Sequence, residues 1–214
     1  MLGLVEEAML LLLRDEGGSF VRMPTVSMRL AIAGAVLVEL ADANRIDTDQ
    51  QHLFLLDASP TGDELLDPTL AEIAAAERQH ARYWIDHVAE RADVIRAGAL
   101  GRLIGRGILT ERDQRFLWVF HTRRYPAASG GPCQAVRWRV VEVLRSGRAP
   151  DPRDVLLICL ADACGIFRRM LSRRELARLR PRIKRAVERN LICLTIAWEI
   201  VEIRRSVVYS TESG

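Results

Sequence analysis

Four histidines are the side chains of this chain best suited to proton transfer or metal binding near neutral pH. They are His52, His80, His87 and His121, and they lie apart along the sequence. His80 and His87 are seven residues apart, so one helix would place them on one face, but no third ligand accompanies them. We interpret the four as surface or half-buried residues and predict no catalytic histidine and no metal site.

Other patterns that carry chemistry are absent from the sequence. It contains no GxGxxG, GxxxxGKS/T, GxSxG or HExxH. The common motifs of nucleotide-binding proteins and hydrolases are therefore missing. The four cysteines, Cys133, Cys159, Cys164 and Cys193, show no paired CxxC spacing, and three of them lie in apolar runs where a thiol behaves as a small hydrophobe. We therefore expect no enzymatic activity, no cofactor, no zinc and no disulfide.

Arginine supplies nearly all of the positive charge, since Lys184 is the only lysine among 31 basic residues. The planar guanidinium group can hold two oxygens of a phosphate at once, which suits anion recognition. The same bias is typical of GC-rich bacterial genomes, so we also expect a bacterial origin. The formal net charge is only +3. Attraction of an anionic partner would therefore depend on a local cluster of arginines.

The densest run of positive charge lies near the end of the chain. Ten cations fall within the 22 residues from 168 to 189, opposed only by Glu175 and Glu188. They are Arg168, Arg169, Arg173, Arg174, Arg178, Arg180, Arg182, Lys184, Arg185 and Arg189. The pattern fits a solvated helix face, and it also fits contact with a membrane surface or, second, with nucleic acid.

Length and composition predict one globular domain over residues 1–214. The chain is 49% hydrophobic and 28% charged, which suits a buried core. Its longest uncharged apolar runs, Leu30–Val38 and Ala8–Leu13, are far shorter than the roughly 20 residues that cross a bilayer. Glu6 and Glu7 stand where a signal peptide needs positive charge. We expect a cytoplasmic protein.

Apolar periodicity predicts a mainly α-helical, single-domain bundle. Helices are expected over Leu4–Arg14, from a Ser27 cap to Ala43, through Pro68–Glu90, and over Ala92–Gly105, Ala135–Ser146 and Pro152–Leu171. Another helix follows a Ser172 cap, Pro181 ends or kinks it, and Ile183–Val208 completes the chain.

One or two small β-hairpins interrupt the predicted helices. Residues 45–47 pair with 52–57, and residues 107–110 pair with 116–120 across a polar turn at 111–114. The Pro- and Gly-rich segment 125–132 is expected to be a flexible loop or hairpin tip. Each helix followed by a hairpin is also how a winged-helix module is built, so a nucleic-acid-binding or transcription-associated protein is the alternative function.

Four stretches, in order along the chain, resemble the Golgi phosphoprotein 3 family. They are LVEEAMLLLL from Leu4, AVLVEL from Ala35, SPTGDELLD from Ser59 and RLIGRGILT from Arg102. The resemblance implies a mainly α-helical fold with a central bundle and a hairpin used in self-association. Eukaryotic members are peripheral Golgi proteins that bind phosphatidylinositol 4-phosphate and retain glycosyltransferases through their cytoplasmic tails. They are adaptors and not enzymes.

The resemblance therefore implies a peripheral membrane protein here. The expected partners are an anionic phospholipid surface, client protein tails and a second copy of the chain, while nucleic acid is not favoured. In the family, the headgroup pocket is built from a tryptophan, an arginine and two basic residues three apart. These positions fall near Pro24, at Ala33, and at Asp93 and Arg96, so only Arg96 has the expected residue type. An aspartate at 93 repels a phosphate, which argues against specific recognition of that phosphoinositide.

Neighbouring arginines offer partial compensation. Arg29 precedes Ala33 by one helical turn, Arg22 lies close to the Pro24 position, and Arg102 extends the helix of Arg96. We hypothesise that Arg22, Arg29 and Arg96 converge on an anionic headgroup, with Arg102 beside them.

Overall fold

The computed structural model describes residues 2–14, 17–49, 51–116, 120–127 and 131–188. The helices are α1 (Leu4–Leu12), α2 (Thr25–Asp42), α3 (Asp67–Ala75), α4 (Ala81–Glu90), α5 (Ala92–Gly105), α6 (Pro132–Ser146), α7 (Pro152–Ala163), α8 (Phe167–Met170) and α9 (Arg173–Val187). The strands are β1 (Ile46–Thr48), β2 (His52–Leu55), β3 (Gln79–His80), β4 (Arg112–Phe116) and β5 (Phe120–Arg124). The predicted fold class, mainly α with small hairpins, is confirmed.

The two most apolar helices form the centre of the bundle. Every residue of α1 is at most 6% exposed, as its nearly uninterrupted apolar sequence predicts. The apolar run Leu30–Val38 makes α2 the hub, which packs against α1, α4, α5 and α7. Among the described residues, no helix combines the length and the hydrophobicity needed to cross a bilayer.

The start of α2 differs from the prediction. The helix begins at Thr25, immediately after Pro24, and Ser27 lies inside its first turn. Ser27 is fully buried and its hydroxyl has no hydrogen-bond partner within the described part of the chain, so it is not the N-cap. Pro24 occupies the N-cap position, with φ −56° and ψ 144°, and no side-chain hydrogen bond caps this helix.

A three-stranded antiparallel sheet covers one side of α2 and α4, in the order β1, β2, β3. Ile46 pairs with Leu55, and His52 pairs with His80. The third strand interrupts the segment predicted as helical from Pro68 to Glu90, since Ala76 is already extended at φ −99° and ψ 155°. In this segment, pairing with β2 outweighs the intrinsic helix propensity of the residues. Local sequence patterns do not reveal that pairing.

A second hairpin is present, but its strands differ from those predicted. Residues 112–114, predicted as part of the polar turn 111–114, belong to β4, which extends to Phe116, and the connection to β5 falls at 117–119, outside the described residues. Polar composition does not exclude a strand because backbone groups alone form the ladder. Leu109 pairs instead with Ala127, so the start of the segment 125–132 is extended. Residues 128–130 are outside the described ranges, and a flexible loop there stays a prediction.

The last helices also end differently. The helix predicted over Pro152–Leu171 stops at Ala163, because Gly165 adopts a left-handed φ of 68°. Ser172 caps α9 as predicted, in a capping box with Glu175. Pro181 does not end α9, which continues to Val187 because Ile183 and Ala186 are buried against the bundle. Residues 189–208 of the predicted final helix lie outside the described residues.

Candidate anion-binding site

One carboxylate joins two arginines from different helices. Nη2 of Arg29, in the second turn of α2, lies 2.6 Å from Oδ2 of Asp93. Nη2 of Arg96 lies 3.2 Å from Oδ1 of the same carboxylate, one turn further along α5. Asp93 therefore holds both guanidinium groups at the junction between α2 and α5. We call Arg29, Asp93 and Arg96 the arginine–aspartate triad.

The surrounding fold fixes the start of α5. Arg91, which precedes the helix, donates from Nη2 to Glu72 Oε2 at 2.7 Å and to Thr69 Oγ1 at 3.2 Å, both on α3. Asp93 occupies the first turn of α5, where a negative charge faces the positive end of the helix dipole. The triad thus rests on two helices that are held by the bundle and by α3.

The triad is open to solvent and lies beside exposed aliphatic side chains. The side chains of Arg29, Asp93 and Arg96 are 43%, 48% and 36% exposed. Val94 follows Asp93 in the chain and is 74% exposed, and Val26, one turn before Arg29 on α2, is 53% exposed. The surface therefore combines cationic donors with two valines that are each more than half exposed.

Unused donors remain on Arg29. Its Nε atom is buried and has no hydrogen-bond partner within the described residues. A guanidinium group carries five N–H donors, and Asp93 accepts from Nη2 alone. Because Nε is enclosed by the protein, only the remaining Nη N–H groups of Arg29 can donate to an incoming anion.

Arg22 and Arg102, the other two predicted site residues, are not part of the triad. Arg22 is exposed, and within the described part of the chain no hydrogen bond or ion pair joins it to Asp93, the carboxylate that holds Arg29 and Arg96. Arg102 donates from Nη1 and Nη2 to the two carboxylate oxygens of Asp63, each at 2.8 Å. The hydrogen bonds from Arg102 hold the pKa of Asp63 below its usual value. Arg102 is thus bound to the loop 59–67.

The polar residues of the four family-like stretches meet in one network. Arg106 lies 3.1 Å from Glu6, a carboxylate on α1 that is almost fully buried. Glu39 on α2 accepts a hydrogen bond from the backbone N–H of Leu4 at 2.8 Å. Burial raises the pKa of Glu39 above its usual value, although the Leu4 bond and Arg153 oppose the shift. These residues join α1, α2 and α5, so their role is structural.

The loop 59–67 is closed by its own last carboxylate. Asp67 Oδ1 accepts from the backbone N–H and from the hydroxyl of Thr61, at 2.7 and 2.6 Å, and Oδ2 accepts from the N–H of Gly62 at 3.0 Å. Gly62 has a left-handed φ of 80°, which glycine adopts without strain. Asp67 therefore closes the loop at Gly62, and neither Asp63 nor Asp67 caps α3 through its side chain.

The basic run on α8 and α9 is partly engaged in structural contacts. Arg180 lies 2.7 Å from Asp162, and Lys184 lies 3.7 Å from Glu188. Arg182 donates to the carbonyl oxygens of Leu144 and Arg145, which satisfies the end of α6. Arg189 lies outside the described residues. The exposed cations of this run that form neither an ion pair nor a side-chain hydrogen bond within the described ranges are Arg168, Arg169, Arg173, Arg174, Arg178 and Arg185.

Grooves on the surface border α9 and not the triad. A groove of about 590 Å³ runs between α7 and α9 and is lined by Cys159, Ala163, Ile183 and Val187 among others. Two more, of about 340 and 530 Å³, lie toward the loop after α6 and toward α8. No lining residue of these three grooves belongs to α2 or α5.

The histidines and the buried thiol show no reactive arrangement. His80 stacks on His52 across the sheet, with ring centroids 4.4 Å apart, while His87 lies 3.1 Å from Glu72. In the described ranges no three histidine, cysteine or acidic side chains converge as metal ligands would. Burial raises the pKa of the Cys159 thiol to about 12, so this group stays protonated.

Comparison with known proteins gives a consistent result. A family model described as Golgi phosphoprotein 3 (GPP34) matches residues 4–199. The vacuolar protein sorting-associated protein 74 of Schizosaccharomyces pombe is 30% identical over 166 residues, which cover 68% of this chain and 49% of that protein. Its namesake from Eremothecium gossypii is 23% identical over 206 residues, 80% of this chain and 62% of that protein. The chain thus matches about half to three fifths of the length of these two relatives.

Proposed function

Because the chain belongs to the Golgi phosphoprotein 3 family, we propose that it is a peripheral membrane adaptor that binds a phosphate-bearing lipid headgroup through Arg29 and Arg96. The family match covers nearly the whole chain and agrees with the helical fold. The finer assignment, to a lipid headgroup at the triad, rests on the chemistry of this chain's own residues.

A single observation carries the proposal: two arginines from separate helices meet at one exposed point, with unused donors and with Val94 and Val26 beside them. Cations attract an anionic membrane surface, each well-placed one contributing about 1 kcal/mol near the surface. Exposed aliphatic side chains add apolar area that leaves water when the protein contacts the lipid interface. The combination is characteristic of interfacial binding.

Asp93 limits the affinity of this site. Its carboxylate competes with a lipid phosphate for the same two guanidinium groups, at 2.6 and 3.2 Å. We therefore expect modest affinity that falls with ionic strength, because salt screens the attraction between exposed charges. The unpaired arginines of α9 add general attraction to anionic surfaces without a defined site.

An adaptor needs a second partner besides the membrane. The family resemblance suggests client protein tails and self-association through the β4–β5 hairpin, and we extend both to this chain as part of the proposal. The same resemblance argues against catalysis. The winged-helix alternative is less well supported, because Arg102 on α5, which would have to face nucleic acid, is held by Asp63 through two hydrogen bonds.

Vesicle flotation tests the proposal directly. The full chain is incubated with phosphatidylcholine vesicles that contain or lack an anionic phospholipid, and a DNA mobility shift is run in parallel at the same salt concentration. The proposal requires co-flotation with the anionic vesicles that weakens as salt is added. A DNA shift without flotation would favour the winged-helix alternative instead.

A further inference from the structure

We propose that a groove between α8 and α9 is a docking site for an acidic peptide segment of a partner protein, one that carries aliphatic side chains among its carboxylates. This α8–α9 groove has a volume of about 530 Å³ and is lined by Arg168, Leu171, Arg173, Leu176, Ala177 and Arg180. None of its lining residues belongs to α2 or α5. The inference therefore concerns a surface separate from the arginine–aspartate triad and does not depend on lipid binding there.

The inner lining of the α8–α9 groove is apolar. Leu171 is only 7% exposed, and Leu176 and Ala177 are half-buried. Leu176 also packs against the hydrophobic core, so the fold sets its position. The volume of the groove lies within the range of roughly 300 to 1,000 Å³ that is typical of ligand pockets. Aliphatic side chains of a partner can therefore leave water by entering this groove, which favours binding.

Positive charge borders this apolar lining. Arg168 and Arg173 are exposed, and neither forms an ion pair or a side-chain hydrogen bond within the part of the chain that the structure describes. Arg180, the third arginine of the groove, is held by Asp162 at 2.7 Å. Glu175, in the first turn of α9, is already bound by the cap of this helix and by an arginine of α6. Two guanidinium groups at the groove are thus available to carboxylates from a partner.

Arginine side chains suit this kind of recognition. A guanidinium group can donate two parallel N–H bonds to one carboxylate, which gives the pair both strength and a fixed geometry. Clusters of arginines are a recurrent means of binding acidic motifs. A segment that combines carboxylates with leucine-like side chains therefore satisfies both the border and the lining of the α8–α9 groove.

The shape of this surface favours a peptide over a membrane. Interfacial binding requires apolar side chains that project from the protein into the boundary of the bilayer. Among the described residues, the large apolar side chains that are exposed, such as Val94 and Trp138, belong to other elements, and none lies on α8 or α9. The apolar lining of the groove is recessed behind arginines. A peptide side chain can reach it, whereas a bilayer surface cannot.

Fluorescence anisotropy with the full chain and defined peptides tests the docking site. The ligand is a short labelled peptide in which two leucines are flanked by glutamates. Two matched peptides carry either glutamine in place of every glutamate or serine in place of both leucines. We expect each matched peptide to bind at least tenfold more weakly than the parent peptide. Equal binding by the peptide without leucines would reduce the effect to general charge attraction and overturn the inference.

Two double variants with equal charge loss locate the binding on the protein. Arg168→Gln with Arg173→Gln removes the two unpaired cations that line the groove, and Arg174→Gln with Arg178→Gln removes two exposed cations of α9 that do not line it. With both folded by circular dichroism, the groove variant should bind the parent peptide at least tenfold more weakly than wild type, and the control less than threefold. Equal losses, or no peptide binding by the wild-type chain, would overturn the inference.

Other occupants of the groove are tested with the same groove variant. Its binding to phosphatidylglycerol vesicles and to a DNA duplex should stay within threefold of wild type. A tenfold loss of vesicle or DNA binding that the control variant does not share would assign Arg168 and Arg173 to that partner and overturn the peptide site. None of these outcomes alters the proposal of a headgroup site at Arg29 and Arg96, because those residues are unchanged in both variants.

Discussion

Arg102 holds Asp63 by two parallel hydrogen bonds of 2.8 Å, and this pair ties the loop 59–67 to helix α5. Both side chains are less than a third exposed, which places the pair between surface and core. Bidentate pairs between arginine and a carboxylate are among the stronger ion pairs in proteins because the geometry is fixed by two bonds. The loop is therefore a structural joint between α3 and α5, and Arg102 is unavailable to a ligand.

Replacing Asp63 should destabilise the fold. We expect Asp63→Asn to lower the free energy of unfolding at pH 7 by roughly 1.5 to 3 kcal/mol, the range for hydrogen bonds to charged groups. Because the pKa of Asp63 is lowered in the folded state, this stability is present above the unfolded pKa of about 3.9 and is lost as pH falls through the folded pKa. Urea unfolding at pH 7 and pH 3.5 measures both effects.

The matched control for that experiment is Asp86→Asn, which removes a carboxylate from an exposed pair with Arg82. Exposed pairs of this type contribute less than about 1 kcal/mol, so the control should remain close to wild type. Equal losses for the two variants, or a loss for Asp63→Asn that does not shrink at pH 3.5, would contradict the structural role assigned to Arg102 and Asp63.

Removing the charge of Glu39 should have the opposite effect on stability from removing that of Asp63. Burial raises its pKa, so the folded state disfavours the charged carboxylate. That penalty is absent below the unfolded pKa of about 4.3 and fully present once pH has risen through the folded pKa. We expect Glu39→Gln to be at least as stable as wild type at pH 7, because the amide oxygen can still accept from the N–H of Leu4, and to converge with wild type at pH 4.

Urea unfolding again provides the measurement for Glu39→Gln. Arg153, which lies 3.5 Å from Glu39, keeps a hydrogen bond of 3.0 Å to the carbonyl oxygen of Leu2 and so is not stranded. A variant that is less stable than wild type by more than about 1 kcal/mol at pH 7 would mean that the Arg153 pair outweighs the burial of the carboxylate.

Thiol reactivity should separate the cysteines of α7. With a pKa of about 12, Cys159 exposes only about one thiolate in ten thousand at pH 8, and it is buried as well. Cys164, at the end of α7, is half-buried. We expect iodoacetamide to modify Cys164 first and Cys159 only when urea is added, as followed by peptide mass spectrometry. Equal rates for the two thiols in the native protein would contradict the described packing of α7.

The exposed valine beside the triad should contribute to vesicle binding. We expect Val94→Gln to weaken binding to anionic vesicles about three- to tenfold, since transferring a valine side chain from water is worth up to roughly 1.5 kcal/mol. The matched control is Leu56→Gln, which removes an aliphatic side chain that is 53% exposed at the end of β2. Flotation compares the two, and an equal loss for both variants would remove Val94 from the binding surface.

Sequence patterns predicted the helices because burial follows apolar periodicity, and α1 and the core of α2 are the clearest cases. They did not predict β3 and β4, since Gln79 and Arg112 enter strands through backbone pairing with residues that patterning does not identify.

The candidate site could be predicted only in part. Arg22, Arg29 and Arg96 were expected to converge, and of these three Asp93 joins Arg29 and Arg96. Asp93 itself was expected to repel phosphate. The ion pair between Arg29 and Asp93 joins residues 64 apart in the chain, so no local rule reveals it. Likewise, Arg102 and Asp63 each stood out in the sequence, but their bidentate pair depends on how the loop meets α5.

Vesicle co-sedimentation of two double variants with equal charge loss tests the central claim most directly. Arg29→Gln with Arg96→Gln removes the cations of the triad, and Arg174→Gln with Arg178→Gln removes two exposed cations of α9 that have no ion pair in the described chain. With both folded by circular dichroism, the triad variant should bind anionic vesicles about tenfold more weakly, a loss of ~1.4 kcal/mol, and the α9 variant less than about threefold. Equal binding by the two variants would contradict a headgroup site at Arg29 and Arg96.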